Sequence, residues 1–414
     1  MSLTVSDRFR WVFCQLDTLR RCMPSSIRRV LNELPATLYD TYERALEGIP
    51  KEKRQHALRL FLCLVGARRP LRAEELAELF AIDFDQDSMS NFMEGWRPEN
   101  PEEAVRSTCS TLISIIDDKR GRIVQFSHFS VKEFLTSGRL RTSDVGNIRD
   151  YYIPLNAAHT TLARACLAVL LQLDKNVDKK RLRTFPLALY AAQHWVEHAK
   201  YEDVASQVQS AMEELFNPTK PYLAAWVWIH DVDEDRNRRS IDDLTQLPSP
   251  LSGTALYYAA LCGFSGVANY LINNHTQDIN ANSGKRGPPL HAALLLGHAE
   301  VVSLLLQHNA DVHIRSTASA KWVPLHFASC AGDAHIVQLL LEHGAHINAL
   351  SNVHNTPLYL ASRGGHPEVV RVLLEHGADP YIRGEDGRTP FQMAVLNRYV
   401  EVEQLLSEYG AEKE

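Results

Sequence analysis

In the last third of the chain, apolar and polar positions alternate in a fixed pattern. From Thr254 onward, a short block of apolar and small residues is followed by a second apolar block, five times over. The first blocks read TALYYAALCG from Thr254, PPLHAALLLG from Pro288, VPLHFASCAG from Val323, TPLYLASRGG from Thr356 and TPFQMAVLNR from Thr389. Their third residue falls at 256, 290, 325, 358 and 391, giving spacings of 34, 35, 33 and 33 residues. The second blocks read VANYLINN, VVSLLLQHNAD, IVQLLLEHGAH, VVRVLLEHGAD and VEQLLSEYGAE. Such a period predicts tandem helical hairpins, none of which buries its apolar face without a neighbour.

The individual letters carry the same message. Thr356-Pro357 and Thr389-Pro390 predict helix starts, since a hydroxyl caps free N–H groups and Pro suits the first helical turn. The small residues Ala259, Ala293, Ala328, Ala361 and Ala394 let one hairpin approach the next. Gly263, Gly297, Gly332 and Gly365 predict left-handed stops after the first helix, and Gly344, Gly377 and Gly410 stops after the second, with Asn309 in that slot in its copy. The triplets Leu304-Leu305-Leu306, Leu339-Leu340-Leu341 and Val372-Leu373-Leu374 are expected to face the first helices. The 33-residue unit and its T-P-L-H-x-A core resemble the ankyrin repeat. Three copies depart from it. The last has Arg398-Tyr399 for Gly-His and an outer helix bearing Glu401, Glu403, Gln404 and Glu408, a polar capping face. The third has two extra residues in its finger loop, which ends in Trp322. The first has Tyr257-Tyr258 and is expected to dock on helices upstream.

Residues 1–250 follow a different pattern. Helices are predicted at Phe9–Cys22, from Leu34 to Ile49, at Gln55–Val65 and from Arg72, with loop from Phe84 to Pro101. Residues 101–116 read as helix turning β-branched. Leu112–Ile116 and Arg122–Phe126 read as two short strands joined by a turn. Residues from His128 predict a helix capped by Ser130, with Glu133 as its box partner. Three helices, a hairpin and a helix form a winged-helix order. The phrases FRWVFCQLDTLRRC, LPATLYDTYERAL, RRPLRAEELAELF, VQFSHFSVKEFL and LYAAQHWVEHA resemble the segment after the nucleotide-binding core in fungal NACHT-type (STAND) signalling NTPases with C-terminal ankyrin repeats. That resemblance implies a mainly α chain: a helical segment over 1–48, a winged-helix-like domain over 49–145, a helical linker domain over 146–250 and a five-repeat ankyrin solenoid over 251–414. No GxxxxGK[ST] loop is present, and the one Gly-Lys pair, Gly284-Lys285, precedes Arg286. We therefore expect no nucleotide hydrolysis; the chain is either a fragment or a short relative without the motor.

Composition narrows the function classes. The 414 residues are 45% hydrophobic and 23% charged with net charge −6, which fits packed domains and rules out a polycation. No apolar run reaches membrane-spanning length, and the start of the chain lacks a signal peptide's apolar stretch. The seven cysteines form no CxxC pair, so reduced thiols in the cytoplasm or nucleus are expected. No catalytic or metal motif stands out among the 18 histidines. His343 and His346 are read as repeat residues rather than ligands, and His291 and His326 as ties between loops. His194 and Trp195 are read as core, Trp226 and Trp228 as staples to the first repeat, and Asp231–Asp243 as a solvated connection. The helix before the wing, PEEAVRSTCSTLI, has one Arg and two Glu, which speaks against DNA despite the basic turn at Lys119–Arg122.

The expected function is therefore a protein–protein interaction module without cofactor, metal or membrane contact. The residues spared from stacking are candidates for binding: Lys285, Arg286, Arg315, Lys321, Trp322, Asn352, His354, Arg363, Arg383, Glu385 and Arg388, with Leu295, Leu296 and Cys330 on the concave side. Their basic bias points to an acidic or phosphorylated protein partner. The competing readings are an enzyme of unrecognised type, with a site in a cleft between the helical region and the repeats, and DNA binding through the winged helix.

Overall fold

The computed structural model describes residues 37–85, 91–109, 111–119, 121–142, 146–174, 177–233, 241–244, 251–316 and 321–411. The helix expected at Phe9–Cys22 lies outside them. The chain divides into two units, Met1–Leu215 with Arg238–Leu247, and Phe216–Asn237 with Pro248–Glu414.

In the first unit, Thr37 and Asp40 form a capping box that starts α1 (Leu38–Glu47) and leaves Leu38, Tyr42 and Leu46 buried on one stripe. Next come α2 (Arg54–Gly66), β1 (Leu71–Arg72), α3 (Ala73–Ala77), β2 (Ile82–Asp83), β3 (Asn91–Phe92), α4 (Pro101–Thr108), β4 (Ile113–Asp118) and β5 (Gly121–Phe126). The sheet runs β1-β5-β4, antiparallel, with Leu71 opposite Val124 and Ile115 opposite Val124 on the other side. Helix, strand, two helices and a wing is the winged-helix arrangement. The helix expected over 101–116 stops at Thr108, because the β-branched run beyond it pairs with β5 instead. The loop expected after Phe84 holds β3, which pairs back with β2.

Helix α5 (Phe129–Leu135) is capped differently from the expectation. His128, not Ser130, caps it, its Nδ1 accepting the Ser130 N–H at 3.3 Å. The Ser130 hydroxyl is buried and pairs with Tyr42 Oη at 2.9 Å and His128 Nδ1 at 2.6 Å, while Glu133 is exposed. Tertiary packing has claimed the hydroxyl that the local pattern assigned to a cap.

After α6 (Gly138–Arg141), α7 (Leu155–Leu170), α8 (Lys179–Leu182) and α9 (Ala188–Ala199) complete the helical core. Ala158, Ala163, Ala165 and Ala168 give α7 a low profile against its neighbours. Gly66 ends α2 where a Cβ would lie 3.0 Å from Leu162 Cδ1 and 3.2 Å from Ala158 Cβ, so α2 and α7 cross closely at this point. Trp195 is fully buried, as expected, and His194 is largely covered. Helices α10 (Val204–Gln207) and α11 (Gln209–Phe216) follow, and Phe216 opens the second unit.

That unit begins with α12 (Tyr222–Ile229), whose Trp226 and Trp228 are buried. Phe216 meets Trp226 and Phe264 edge-on at 5.8 and 6.4 Å, joining this segment to the first repeat. The repeats then follow as five hairpins: α13 (Ala255–Cys262) with α14 (Ser265–Asn274), α15 (Pro289–Leu295) with α16 (Ala299–Gln307), α17 (Pro324–Ala331) with α18 (Ala334–Glu342), α19 (Pro357–Gly364) with α20 (Pro367–Glu375), and α21 (Pro390–Asn397) with α22 (Val400–Glu408). The alanine of each inner helix is at most 1% exposed. Of each apolar triplet only the middle residue, Leu305, Leu340 or Leu373, is fully buried in every copy. Asn309 and Arg398 adopt φ of 63° and 62° at stops that other copies fill with glycine. On α22, Glu401, Gln404 and Glu408 face solvent and Glu403 is half-buried where Val302, Val337 and Val370 are fully buried in earlier copies.

Candidate partner-binding surface

The finger loops divide the eleven sequence candidates into two groups. Four are spent on ion pairs inside the solenoid. Arg286 Nε donates to Asp233 Oδ1 at 3.1 Å, Arg363 Nη1 to Glu385 Oε1 at 2.8 Å, and Arg388 Nη1 to Asp386 Oδ2 at 2.8 Å. Arg315 Nη1 bridges the Lys321 and Leu350 carbonyls, each at 3.2 Å, and Arg383 Nη1 donates to the Gly387 carbonyl at 3.0 Å. These contacts fix finger shape yet leave both guanidinium groups exposed. Lys285, Lys321, Asn352 and His354 are exposed, with Lys321 and His354 at φ of 45° and 63°. Trp322 is half-buried and lies on inner-helix side chains.

Asp233 corrects an expectation. The run 231–243 reads as a solvated connection, but the Asp233 side chain is fully buried. It accepts the Tyr257 hydroxyl at 2.6 Å, the Lys285 N–H at 2.7 Å and the Arg286 guanidinium. A carboxylate with three donors tolerates burial. Tyr257 stands where the second and third copies have histidine, and its ring occupies the space over Gly284, where a Cβ would fall 2.2 Å from it. Tyr359 repeats the device, donating to Asp386 at 2.8 Å over Gly384. A tyrosine in the histidine slot, matched by a finger glycine, was the signal the sequence offered and the expectation missed.

The histidines act as repeat hardware. His326 Nδ1 accepts the Val323 N–H at 3.2 Å, and its Nε2 lies 2.9 Å from the Asn355 carbonyl, linking adjacent fingers. Burial pushes the pKa of His291 down to about 4, partly opposed by the Ile314 carbonyl. His343 Nδ1 sits 2.8 Å from the Leu339 carbonyl of its own helix, and the His346 ring packs at a tilt against His313 with centroids 4.2 Å apart. Among the described residues no group of three or more His, Cys, Asp or Glu converges as a metal site.

Beside the fingers, the ends of the inner helices present Leu295, Leu296 and Leu396 at 43%, 45% and 56% exposure, with Cys330 exposed between them. Leu350 and Val353 add exposed apolar surface on a finger. In the winged helix the expected reading helix, α4, places Glu102 against Arg122 of the wing, so the wing's cation is met by a carboxylate from the helix that would enter a DNA groove.

Together these features define a mainly helical protein with an N-terminal winged-helix region and C-terminal ankyrin repeats, a fold class of interaction modules. Residues 237–316 and 325–414 match the family model of ankyrin repeats (3 copies), and residues 24–145 that of the GPI inositol-deacylase winged helix domain. The chain is similar to azaphilone pigments biosynthesis cluster protein L of Monascus ruber, 30% identical over 296 residues, 68% of this chain and 61% of that protein. It thus spans about three fifths of that relative's length. No helix among the described residues is long and apolar enough to cross a membrane.

Proposed function

We propose that this chain is the partner-recognition portion of a NACHT-like signalling protein, acting by binding and not by catalysis. The observation that carries this reading is the row of finger cations left exposed beside an apolar strip that stacking does not use. Stacking consumes the middle leucines and the alanines. It leaves Lys321, Arg315 and Arg383 exposed, and Leu295 and Leu396 with them. Arginine is one of the residue types enriched at interface hot spots. Glu385 and Asp386 are already matched by Arg363 and Arg388, so the remaining finger charge is positive and favours an acidic or phosphorylated protein segment. The Glu102–Arg122 pair favours a protein partner over DNA.

The experiment is affinity capture from the source cell with wild type and a Lys321→Glu/Arg383→Glu variant, chosen because both cations are exposed on the fingers. Loss of a specific set of proteins, restored by neither salt nor competitor nucleic acid, is the expected result. Recovery of the same proteins by both forms rules the fingers out.

A further inference from the structure

The inner-helix position after the Leu-His pair of the repeat carries Phe327, Leu360 and Met393 in three consecutive copies. Leu360 and Met393 are 1% and 5% exposed. Trp322 packs on them: its ring rests against the cluster of Tyr359, Leu360 and Met393, and meets Phe327 edge-on at 5.2 Å. The second repeat has Ala292 at this position and a finger without the two additional residues, so the shelf and its cover occur together.

The cover is held in an unusual way. Its backbone is pinned, since Ser316 N–H donates to the Trp322 carbonyl at 2.8 Å and Trp322 N–H donates to Ser316 Oγ at 3.0 Å. Arg315 grips the neighbouring Lys321 carbonyl. The indole itself is held by ring and apolar contacts, stacking on the His326 imidazole at 6.2 Å besides its contacts with the shelf. Its Nε1–H is buried and donates to none of the described residues. A buried donor without an acceptor is a standing cost, removed as soon as the ring turns toward water or toward an acceptor on another molecule. Rotation about the side-chain bonds achieves that with the finger backbone in place.

We propose that Trp322 is a displaceable lid over an apolar shelf formed by Phe327, Leu360 and Met393, and that the shelf takes one large apolar side chain projecting from an acidic segment of a partner protein. The acidic flank follows from charge. Lys321 is exposed next to the lid, Arg315 is exposed on the same finger, and Arg383 is exposed on the finger of the last repeat. The proposal rests on the fingers being the partner surface, and adds to it the anchor and the element the anchor displaces.

Three short synthetic peptides test it on the full chain by calorimetry: one of Asp and Glu around a central Phe, the same with Ser in place of Phe, and a Lys-rich peptide around Phe. The acidic Phe peptide binds best, and Phe→Ser weakens it on the order of ten-fold, the scale of one apolar group entering a pocket. Trp322→Ala tightens the Phe peptide by several-fold and leaves the Ser peptide unchanged, because the competitor for the shelf is gone. Trp322→Leu moves in the same direction and serves if the alanine variant does not fold. Met393→Gln weakens the Phe peptide alone. Equal binding of the Phe and Ser peptides overturns the shelf. Weaker binding of the Phe peptide to Trp322→Ala overturns the lid and makes the indole a direct contact. A persisting preference for acidic over Lys-rich peptides then leaves the finger reading standing, whereas loss of that preference removes both.

Discussion

In the winged-helix and helical unit, a buried carboxylate, Glu75, receives Arg69 through two 2.8 Å hydrogen bonds, together with the Arg72 backbone N–H at 2.8 Å and its guanidinium at 3.3 Å. A second, Glu78, holds Arg97 at 2.6 Å and the Leu187 N–H at 3.2 Å, while the Arg97 guanidinium lies over Phe92 and Phe185. Desolvation raises the pKa of Glu78 against the pull of Arg97. Each tie occurs once: Glu75 fixes the turn that leads through β1 into α3, and Glu78 joins residues 19 and 109 positions away. In the ankyrin unit the same structural work is repeated: an alanine for close approach, a leucine for the core and a positive-φ stop, copy after copy. The difference teaches where to look for specificity. In a unit built from singular contacts, a singular residue is ordinary. In a periodic array, a residue that breaks the period, such as Asp233 or Trp322, stands apart from the stacking rule.

The comparison can be tested by measuring how far damage spreads. Glu75→Ala leaves two guanidinium groups around an empty buried site, and we expect a loss of about 3–5 kcal/mol. Hydrogen exchange should show lost protection in α2, α3 and β5 together, and protection lost only near residue 75 would break the contrast. Leu340→Ala removes a fully buried leucine at a cost of about 3 kcal/mol. In a one-dimensional array that exchange signature stays within the third repeat and its neighbours; uniform loss across all five repeats would show the array to be globally cooperative.

Acid sharpens the comparison. His159 and His198 face each other through Nδ1 atoms 2.8 Å apart, and His198 Nε2 lies 2.8 Å from Tyr190 Oη, which also accepts the Arg68 N–H. One ring must donate and the other accept, so the two rings cannot both carry a proton on Nδ1 and the doubly charged pair is excluded. Burial, then His159, His194 and Arg68, lowers the pKa of His198 from 6.5 to about 3. The unfolded chain therefore binds a proton below pH 6.5 that the folded one refuses until about pH 3. Stability is fully present above pH 6.5 and falls as pH drops through that window, by up to about 1.4 kcal/mol per pH unit per group. His291 does the same in the ankyrin unit between pH 6.5 and about 4. Urea unfolding at pH 7 and pH 5 should show His198→Phe and His291→Leu each flattening the dependence. A slope unchanged in either variant would remove that histidine from the account.

The smallest effect is at a cap. Thr389 Oγ1 accepts the Gln392 N–H at 3.3 Å while Gln392 returns the contact to the Thr389 N–H at 3.0 Å. Thr389→Ala should cost about 1 kcal/mol, read as a small shift in the denaturation midpoint with an unchanged slope. A larger loss would mean that this hairpin depends on its start more than its neighbours do.

Much of the ankyrin unit was legible because its causes are local. Glycine and asparagine at positive φ, Thr-Pro at helix starts and small residues at contact positions act within a few residues of where they are read. The winged-helix order was legible from element lengths and from the hairpin. The binding residues were only partly so. Exposure of Lys285, Lys321 and His354 followed from the loop register. The capture of Arg286 by Asp233, and of Arg363 by Glu385, did not, because each pair joins residues separated by 53 and 22 positions. The cap at α5 failed for the same reason, with Tyr42 taking the Ser130 hydroxyl across 88 positions.

By itself the sequence determined the repeat, its period, its helix starts and stops, and the absence of a phosphate-binding loop, since those depend on backbone conformation and residue type at fixed short spacing. Only the tertiary structure decided which charges remain for a partner, because a charge is spent or spared according to what lies opposite it in space. It also decided that Trp322 lies as a cover on Leu360 and Met393 with its N–H unmet by any described residue, since burial and hydrogen bonding depend on neighbours that the chain brings together only when it folds.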